Sequence, residues 1–246
     1  MIRYKRSTMQ DEPRIQSIAR AAAVLRALEA APDGMGLAEL SSVVALPKST
    51  VHRLVGALSD EEFASTSGDG RIRLGRGLAR LGAAARDTLR HDLHPVLLAL
   101  HDEADETVDL AVLDGSSARF VDQIAAPHRL RAVSAIGEAF PLWSTANGKA
   151  LLSGLPDERV LELLPEGAAR RPLLAELASV RRAGVAFDRE EHTEGISAVG
   201  APVFDASGVV AAISIPVPTA RFAKGEKRYA RLVRRAARDA SRLLGG

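Results

Sequence analysis

The run from Leu37 to Leu74, centred on Pro47-Lys48-Ser49-Thr50-Val51-His52-Arg53-Leu54, constrains this chain more than any other stretch. On a helical wheel Val51, Leu54, Val55 and Leu58 share one face at spacings of three and four, while Ser49, Arg53, Gly56 and Ala57 share the opposite one. Pro47 suits a first helical turn, where its missing N–H has no partner to lose. Upstream, Leu37 to Val44 reads as a short amphipathic helix. Only Ala45 and Leu46 separate the two, so the pair forms a helix-turn-helix. Downstream, Ser65-Thr66-Ser67-Gly68-Asp69-Gly70 is a dense turn signal, and Arg71-Ile72-Arg73-Leu74 alternates basic with apolar. A strand there buries Ile72 and Leu74 and presents both arginines on the other face. Such a hairpin, placed after a helix-turn-helix, can straddle a DNA backbone beside the groove that the helix enters. Taken alone, the Pro47 helix fits a DNA-reading helix and an ordinary solvated surface helix equally well.

Charge distribution helps to separate the two. Lys and Arg against Asp and Glu number 14 to 10 over residues 1–90, 11 to 19 over 91–223 and 8 to 2 over 224–246. An acidic middle is a poor surface for phosphates, so nucleic acid belongs to the N-terminal part. Residues 1–13 read as a mobile arm whose Arg3, Lys5 and Arg6 either reach DNA or stay solvated. From Ser17, a good N-cap, the alanine-rich run to Ala30 is a first helix, broken by Pro32-Asp33-Gly34. The chain has no cysteine, which excludes disulfides, thiolate nucleophiles and cysteine-ligated zinc. No segment approaches the ~20 apolar residues of a membrane span, so no membrane association and a cytoplasmic location are expected.

Residues 76–92 read as a linker helix, followed by a further helix from Leu93 to Ala104 with its start near Pro95. Thr107 to Asp114 and Ala118 to Ile124 are strand-like, and Arg131 to Ile136 suggests a third strand. Gly148 to Gly154, Glu158 to Leu164 and Leu173 to Ala183 have helical patterns. Val199 to Phe204 and Val209 to Ile215 flank the hairpin signal Asp205-Ala206-Ser207-Gly208. A basic helix from Gly225 to Leu244 closes the chain. Strands first and last with helices between predict an α+β sandwich.

Catalytic readings find little purchase. Gly148-Lys149 invites a phosphate-loop reading, but Trp143 stands where its first glycine belongs and Ala150 replaces the Ser/Thr. His91, Asp92, His94 and His101 suggest metal ligands less well than solvated side chains, because their spacing spans the expected helix start. No Gly-x-Ser-x-Gly elbow accompanies the serines, and Glu190-Glu191 reads as a polar loop. Neither a catalytic set, a metal site nor a cofactor is expected. A binding pocket fares better. Ser144-Thr145-Ala146-Asn147 leads into a helix whose N-terminal N–H groups suit a carboxylate. Trp143 beside it serves equally as pocket wall or core.

The ordered set of Ser17-Ile18, Leu46-Pro47-Lys48-Ser49-Thr50-Val51-His52-Arg53-Leu54 and Gly70-Arg71-Ile72-Arg73-Leu74-Gly75 resembles the N-terminal domain of the IclR family of bacterial transcriptional regulators. Pro141-Leu142, Ser144 to Ala150, Asp188 to His192, Gly195-Ile196, Ala201 to Asp205 and Ala211 to Ile215 are similar to the motifs of its second domain. The resemblance covers residues 14 to 244. Two positions depart from it: Ala45 and Glu62 stand where the family has glycine, and both are expected to take a left-handed backbone at a cost of ~1–2 kcal/mol.

The resemblance implies an α/β (α+β) chain: a winged helix-turn-helix at 14–75, the linker helix at 76–92 and a GAF-like sensor domain at 93–246. Ser49, Thr50, His52 and Arg53 are candidates for base edges, and Lys48, Arg71 and Arg73 for phosphates. Carried over residue by residue, the effector contacts are Ala146, Asn147, Asp188, Ile196, Ala198, Ser214 and Pro216. Ala198 and Pro216 replace polar side chains, which implies an effector with an apolar or aromatic body and one acidic end. The expected function is a ligand-responsive regulator, a repressor, not an enzyme. It binds a pseudo-palindromic DNA operator as a homodimer or dimer of dimers and senses a small organic acid. The alternative is a small-molecule-binding or enzymatic domain whose helix-turn-helix serves protein interaction.

Overall fold

Val51, Val55 and Leu58 are buried along one face of a helix, and they gather the rest of the N-terminal unit around them. The computed structural model describes residues 16–167 and 169–246, so the expected arm at residues 1–13 lies outside the described residues. The chain divides after Ala85 into two units. In the first, α1 (Gln16–Glu29), α2 (Leu37–Val43) and α3 (Lys48–Asp60) enclose Val24, Leu28, Leu40 and the α3 stripe. Ser17 falls inside the first turn of α1, not at its cap. The α2–α3 turn is held by Ser41, whose Oγ donates to Leu46 O at 2.6 Å. Ala45 at φ 52° and Glu62 at φ 61° both adopt the left-handed backbone expected of them.

β1 (Ala64–Thr66) and β2 (Ile72–Leu74) form the antiparallel hairpin, with Ser65 opposite Arg73. Met35 adds a bridge to Ile72 on the other side of β2. Ile72 is buried as expected. Leu74, expected to be buried, is 39% exposed: it ends β2 outside the core cluster, whereas Ile72 at the other end is held in it and bridged by Met35. The turn at Gly34 (φ 79°) presses so close to β2 that a Cβ there would stand 2.7 Å from Ile72 O, so glycine is required.

A single helix, α4 (Arg76–Ala104), replaces the two expected. Pro95 lies inside it instead of starting a new one. Leu93, Leu97 and Leu100 continue one buried stripe through the proline, and burying three leucines at ~1.5–3 kcal/mol each outweighs a helix defect of ~3 kcal/mol.

In the second unit the strands are β3 (Val108–Asp114), β4 (Ser117–Ile124), β5 (Ala139–Pro141), β6 (Ala186–Arg189), β7 (Ile196–Asp205) and β8 (Gly208–Pro218). They form one antiparallel sheet in the order β5-β4-β3-β8-β7-β6, so the earliest and latest strands meet at its centre. Residues 131–136 are not the third strand. They run unpaired, tethered by Thr107 Oγ1 to Ala132 O (2.6 Å) and by Ser134 Oγ to Asp109 Oδ2 (3.0 Å), while the short β5 takes the edge of β4. The expected hairpin joins β7 and β8.

Strand alternation sends Leu110, Val199, Ile213 and Ile215 to one face, under the C-terminal half of α4 and α8 (Thr219–Leu243). The opposite face carries the small residues Ala111, Ala198, Gly200 and Ala212. They admit α5 (Ala146–Ser153), whose eight residues are all buried, with α6 (Asp157–Leu163) and α7 (Arg170–Ala183) packed beside it. At Gly200 a Cβ would stand 2.8 Å from Ala146 O, so glycine lets the start of α5 lie against the sheet. Among the described residues no helix is long and apolar enough to cross a membrane.

Candidate functional site

On α3 the face predicted from the wheel, Ser49, Arg53, Gly56 and Ala57, is solvent-facing; Lys48 and His52 are exposed as well, and Thr50 is half-buried. Neither Lys48 nor Arg53 has an ion-pair partner among the described residues. Small residues at 56 and 57 let another surface approach the helix axis, while Lys48 and Arg53 supply charge at its N-terminal half. His52 sits at the margin of this face, over a groove that it shares with Ser59, Thr66 and Gly70 of the same unit.

The two hairpin arginines, expected on the face opposite Ile72, also have partners within the unit. Arg71 Nε donates to Asp33 O at 3.0 Å and its Nη2 to Gly34 O, and Arg73 Nε donates to Asp33 O at 3.2 Å. Both guanidinium groups therefore brace the turn between α1 and α2. Each has five N–H donors, so several remain for an external acceptor. Arg73 is exposed and Arg71 half-buried.

In the second unit Ala146, Asn147, Asp188, Ile196, Ala198, Ser214 and Pro216 come from four elements, α5, β6, β7 and β8, and all seven line one cavity of about 260 Å³. Strand register explains the convergence. Ser214 stands opposite Gly200, Pro216 opposite Ala198, and Ala198 opposite Asp188, all on the face covered by α5. Phe120 and Phe140 meet edge to face at 4.8 Å on the wall, and His192 meets Phe140 at 4.9 Å. A cavity of ~150 Å³ accepts benzene, so this one has room for a substituted single ring.

Its polar groups are largely acceptors. Asp188 Oδ1 accepts the N–H groups of Glu191 (2.9 Å) and His192 (3.4 Å). Burial nevertheless pushes its carboxyl above the usual range, against the pull of those two donors. Asn147 Nδ2 donates to Ser214 Oγ at 2.8 Å, and Asn147 Oδ1 is buried without a partner. The sequence reading missed Asp109 on β3, which also lines the cavity and is 1% exposed. Gln123 Nε2 (2.6 Å) and Ser134 Oγ (3.0 Å) donate to it, yet burial pushes its pKa up to about 7. The signal available was an Asp set among the apolar residues of β3, whose other acid, Asp114, is its last residue. The start of α5, expected to be open to a carboxylate, is capped by its own chain: Thr145 Oγ1 accepts Gly148 N at 3.1 Å.

Lys149, His94 and His101, also singled out from the sequence, have structural partners. Lys149 is fully buried and binds Glu176 (2.8 Å) and Glu191 (2.7 Å), an internal ion-pair centre with no phosphate loop around it. His94 Nδ1 meets Asp122 Oδ2 at 2.6 Å, and His101 Nδ1 meets Glu106 O at 2.9 Å. Among the described residues no three His, Asp or Glu side chains could hold a metal ion. Trp143 is 37% exposed and lies outside the Asp109 cavity.

Comparison with known proteins matches residues 17–68 to the IclR helix-turn-helix domain and residues 82–242 to the bacterial transcriptional regulator IclR C-terminal domain. The HTH-type transcriptional regulator Rv1719 of Mycobacterium tuberculosis is 48% identical over 218 residues, covering 85% of this chain and 84% of that one. The transcriptional repressor IclR of Escherichia coli is 30% identical over 249 residues, covering 94% and 91%. The crystal structure of Thermotoga maritima IclR, 26% identical, superposes with a TM-score of 0.60 over 94% of this chain and 100% of that one. With both domain models matched in order and full-length relatives at this identity, the chain belongs to the IclR family of bacterial transcriptional regulators.

Proposed function

We propose that this regulator is a cytoplasmic repressor that releases its operator when a small molecule fills the cavity beside α5. The observation that carries the ligand half is the convergence on one cavity of the seven residues that the family resemblance carries over. The DNA half is supported by α3, whose exposed face pairs basic side chains with small ones next to a hairpin. Ser49, Thr50, His52 and Arg53 read base edges, and Lys48, Arg71 and Arg73 hold phosphates. Two copies present two α3 helices to a pseudo-palindromic site, as a homodimer or a dimer of dimers. The effector has an apolar body the size of one substituted ring, which suits Ala198, Pro216 and the Phe120–Phe140 wall.

A small organic acid is the rival reading of the effector, favoured by Arg131 and His192, the basic side chains of the lining. A mobility shift on the upstream region of the gene itself, at two salt concentrations, tests the DNA reading. Complex formation that weakens steeply with salt is expected, and its absence at low salt would end the proposal. A thermal-shift screen of single-ring compounds, followed by the same mobility shift with each hit, tests the release.

A further inference from the structure

The cavity has two polar ends and an apolar middle. Asp188 stands on β6 and Asp109 on β3, three strand spacings apart in the order β6-β7-β8-β3, on the order of 14 Å of sheet. Between them, on the same face, lie Ala198 and Pro216. Asp109 is the register partner of Ser214, so their side chains are neighbours on that face, and Ser214 Oγ is the atom that Asn147 grips. Asp109, Ser214 and Asn147 thus form one polar corner.

Apart from the one hydroxyl hydrogen of Ser214, the corner's spare capacity is for receiving hydrogens. Asp109 accepts two donors, one at each oxygen, whereas a carboxylate offers about four acceptor positions. Asn147, 2% exposed, leaves Oδ1 unpartnered although it lines the cavity. A buried acceptor without a donor has lost its water and gained nothing in return, so the corner is incomplete until something donates to it. Arg131 does not fill the role: it is exposed and donates to His128 O of its own segment. A ligand carboxylate placed here would bring further acceptors to an orphan carbonyl and would compete for the proton that burial favours on Asp109.

We propose that Asp109 and Asn147 recognise the polar end of the effector as a hydrogen-bond donor, so that the ligand is a small, mostly apolar molecule ending in a hydroxyl or amino group. This rests on the cavity being the effector site. Asp109 then acts as a specificity-determining residue, selecting against ligands whose polar end is a carboxylate or an ether.

Isothermal titration of the full chain with four probes of one body tests it: 4-propylphenol, 1-methoxy-4-propylbenzene, 4-propylbenzoate and 4-propylbenzylamine. The phenol or the amine is expected to bind at least tenfold more tightly than the ether and the benzoate, and which of the two leads tells hydroxyl from ammonium. In Asp109→Ala that preference is expected to fall below threefold. Should Asp109→Ala fail to fold by circular dichroism, Asn147→Ala carries the same readout. Benzoate binding as tightly as the phenol, or an unchanged preference in the folded variant, overturns the donor assignment while leaving the cavity as the ligand site. Absence of binding by all four overturns both.

Discussion

Lys149, with no solvent exposure, places its Nζ 2.7 Å from Glu191 Oε1 and 2.8 Å from Glu176 Oε1. The first of these bonds ties the helix at the back of the cavity to the segment that carries His192 and Thr193 into its lining. The two sides of the pair are not equivalent in cost. Lys149→Met removes the buried charge and leaves two glutamates that are 40–41% exposed and can hydrate, so a loss of about 1–2 kcal/mol is expected. Glu176→Gln with Glu191→Gln strands a buried ammonium, for which about 3–5 kcal/mol is expected. Urea melts of the two variants decide the order, and equal losses would contradict it.

Asp109 makes stability depend on pH. Its folded pKa of about 7 lies above the ordinary 3.8, so the folded chain holds the proton more tightly than the unfolded one. The stabilisation is complete below about pH 4 and drains away as pH rises to about 7, at ~1.4 kcal/mol per unit, then stays level. Asp188, shifted in the same direction by burial, adds to the slope. Asp109→Asn has no proton to lose. Its stability relative to the parent is expected to climb by up to about 4 kcal/mol between pH 4 and 7. A gap that does not change with pH in denaturant melts would show that Asp109 is ionised throughout.

The left-handed residues of the first unit should reward glycine. Ala45 and Glu62 sit at φ 52° and 61°. Glycine relieves ~1–2 kcal/mol of strain at each but returns ~0.4–1 kcal/mol of entropy to the unfolded chain. Net gains of roughly 0.5–1 kcal/mol per site are expected from Ala45→Gly and Glu62→Gly by thermal melting. A loss at either site would mean that its side chain contributes more than its backbone costs.

DNA contacts separate by their response to sequence and salt. Arg53→Ala is expected to relax base discrimination by ~1–3 kcal/mol in fluorescence anisotropy against operator variants. Arg71→Ala should weaken every sequence alike and reduce the salt slope by about one. Because Arg71 also braces Asp33 and Gly34, its melting temperature is expected to drop too, which Arg53→Ala should not show. Uniform weakening by Arg53→Ala would assign that residue to the backbone.

A repeat of three and four made α3 readable in advance and a turn signal the β7–β8 hairpin, because each rests on a local rule; the backbone at Ala45 was expected only through the family resemblance. What escaped depended on partners distant in sequence. β6 spans only Ala186–Arg189, too short to show a period, and is fixed by pairing with β7. Pro95 looked like a helix start until the leucines on either side proved to share one buried stripe. Asp109 was legible as a strand residue but not as a cavity wall, since only its register with Ser214 tells which face it occupies. Lys149 likewise carries no local hint of Glu176 and Glu191.

The alternation along β8 has an evolutionary consequence. Ile213, Ile215 and Val217 anchor the strand in the core, while Ser214 and Pro216, one residue over in each case, line the cavity proposed for the effector. Heritable change in what the protein senses can therefore be confined to every second codon of the strand, leaving the positions that keep it folded untouched. A family built on such a strand can diversify its inputs quickly while its scaffold stays still.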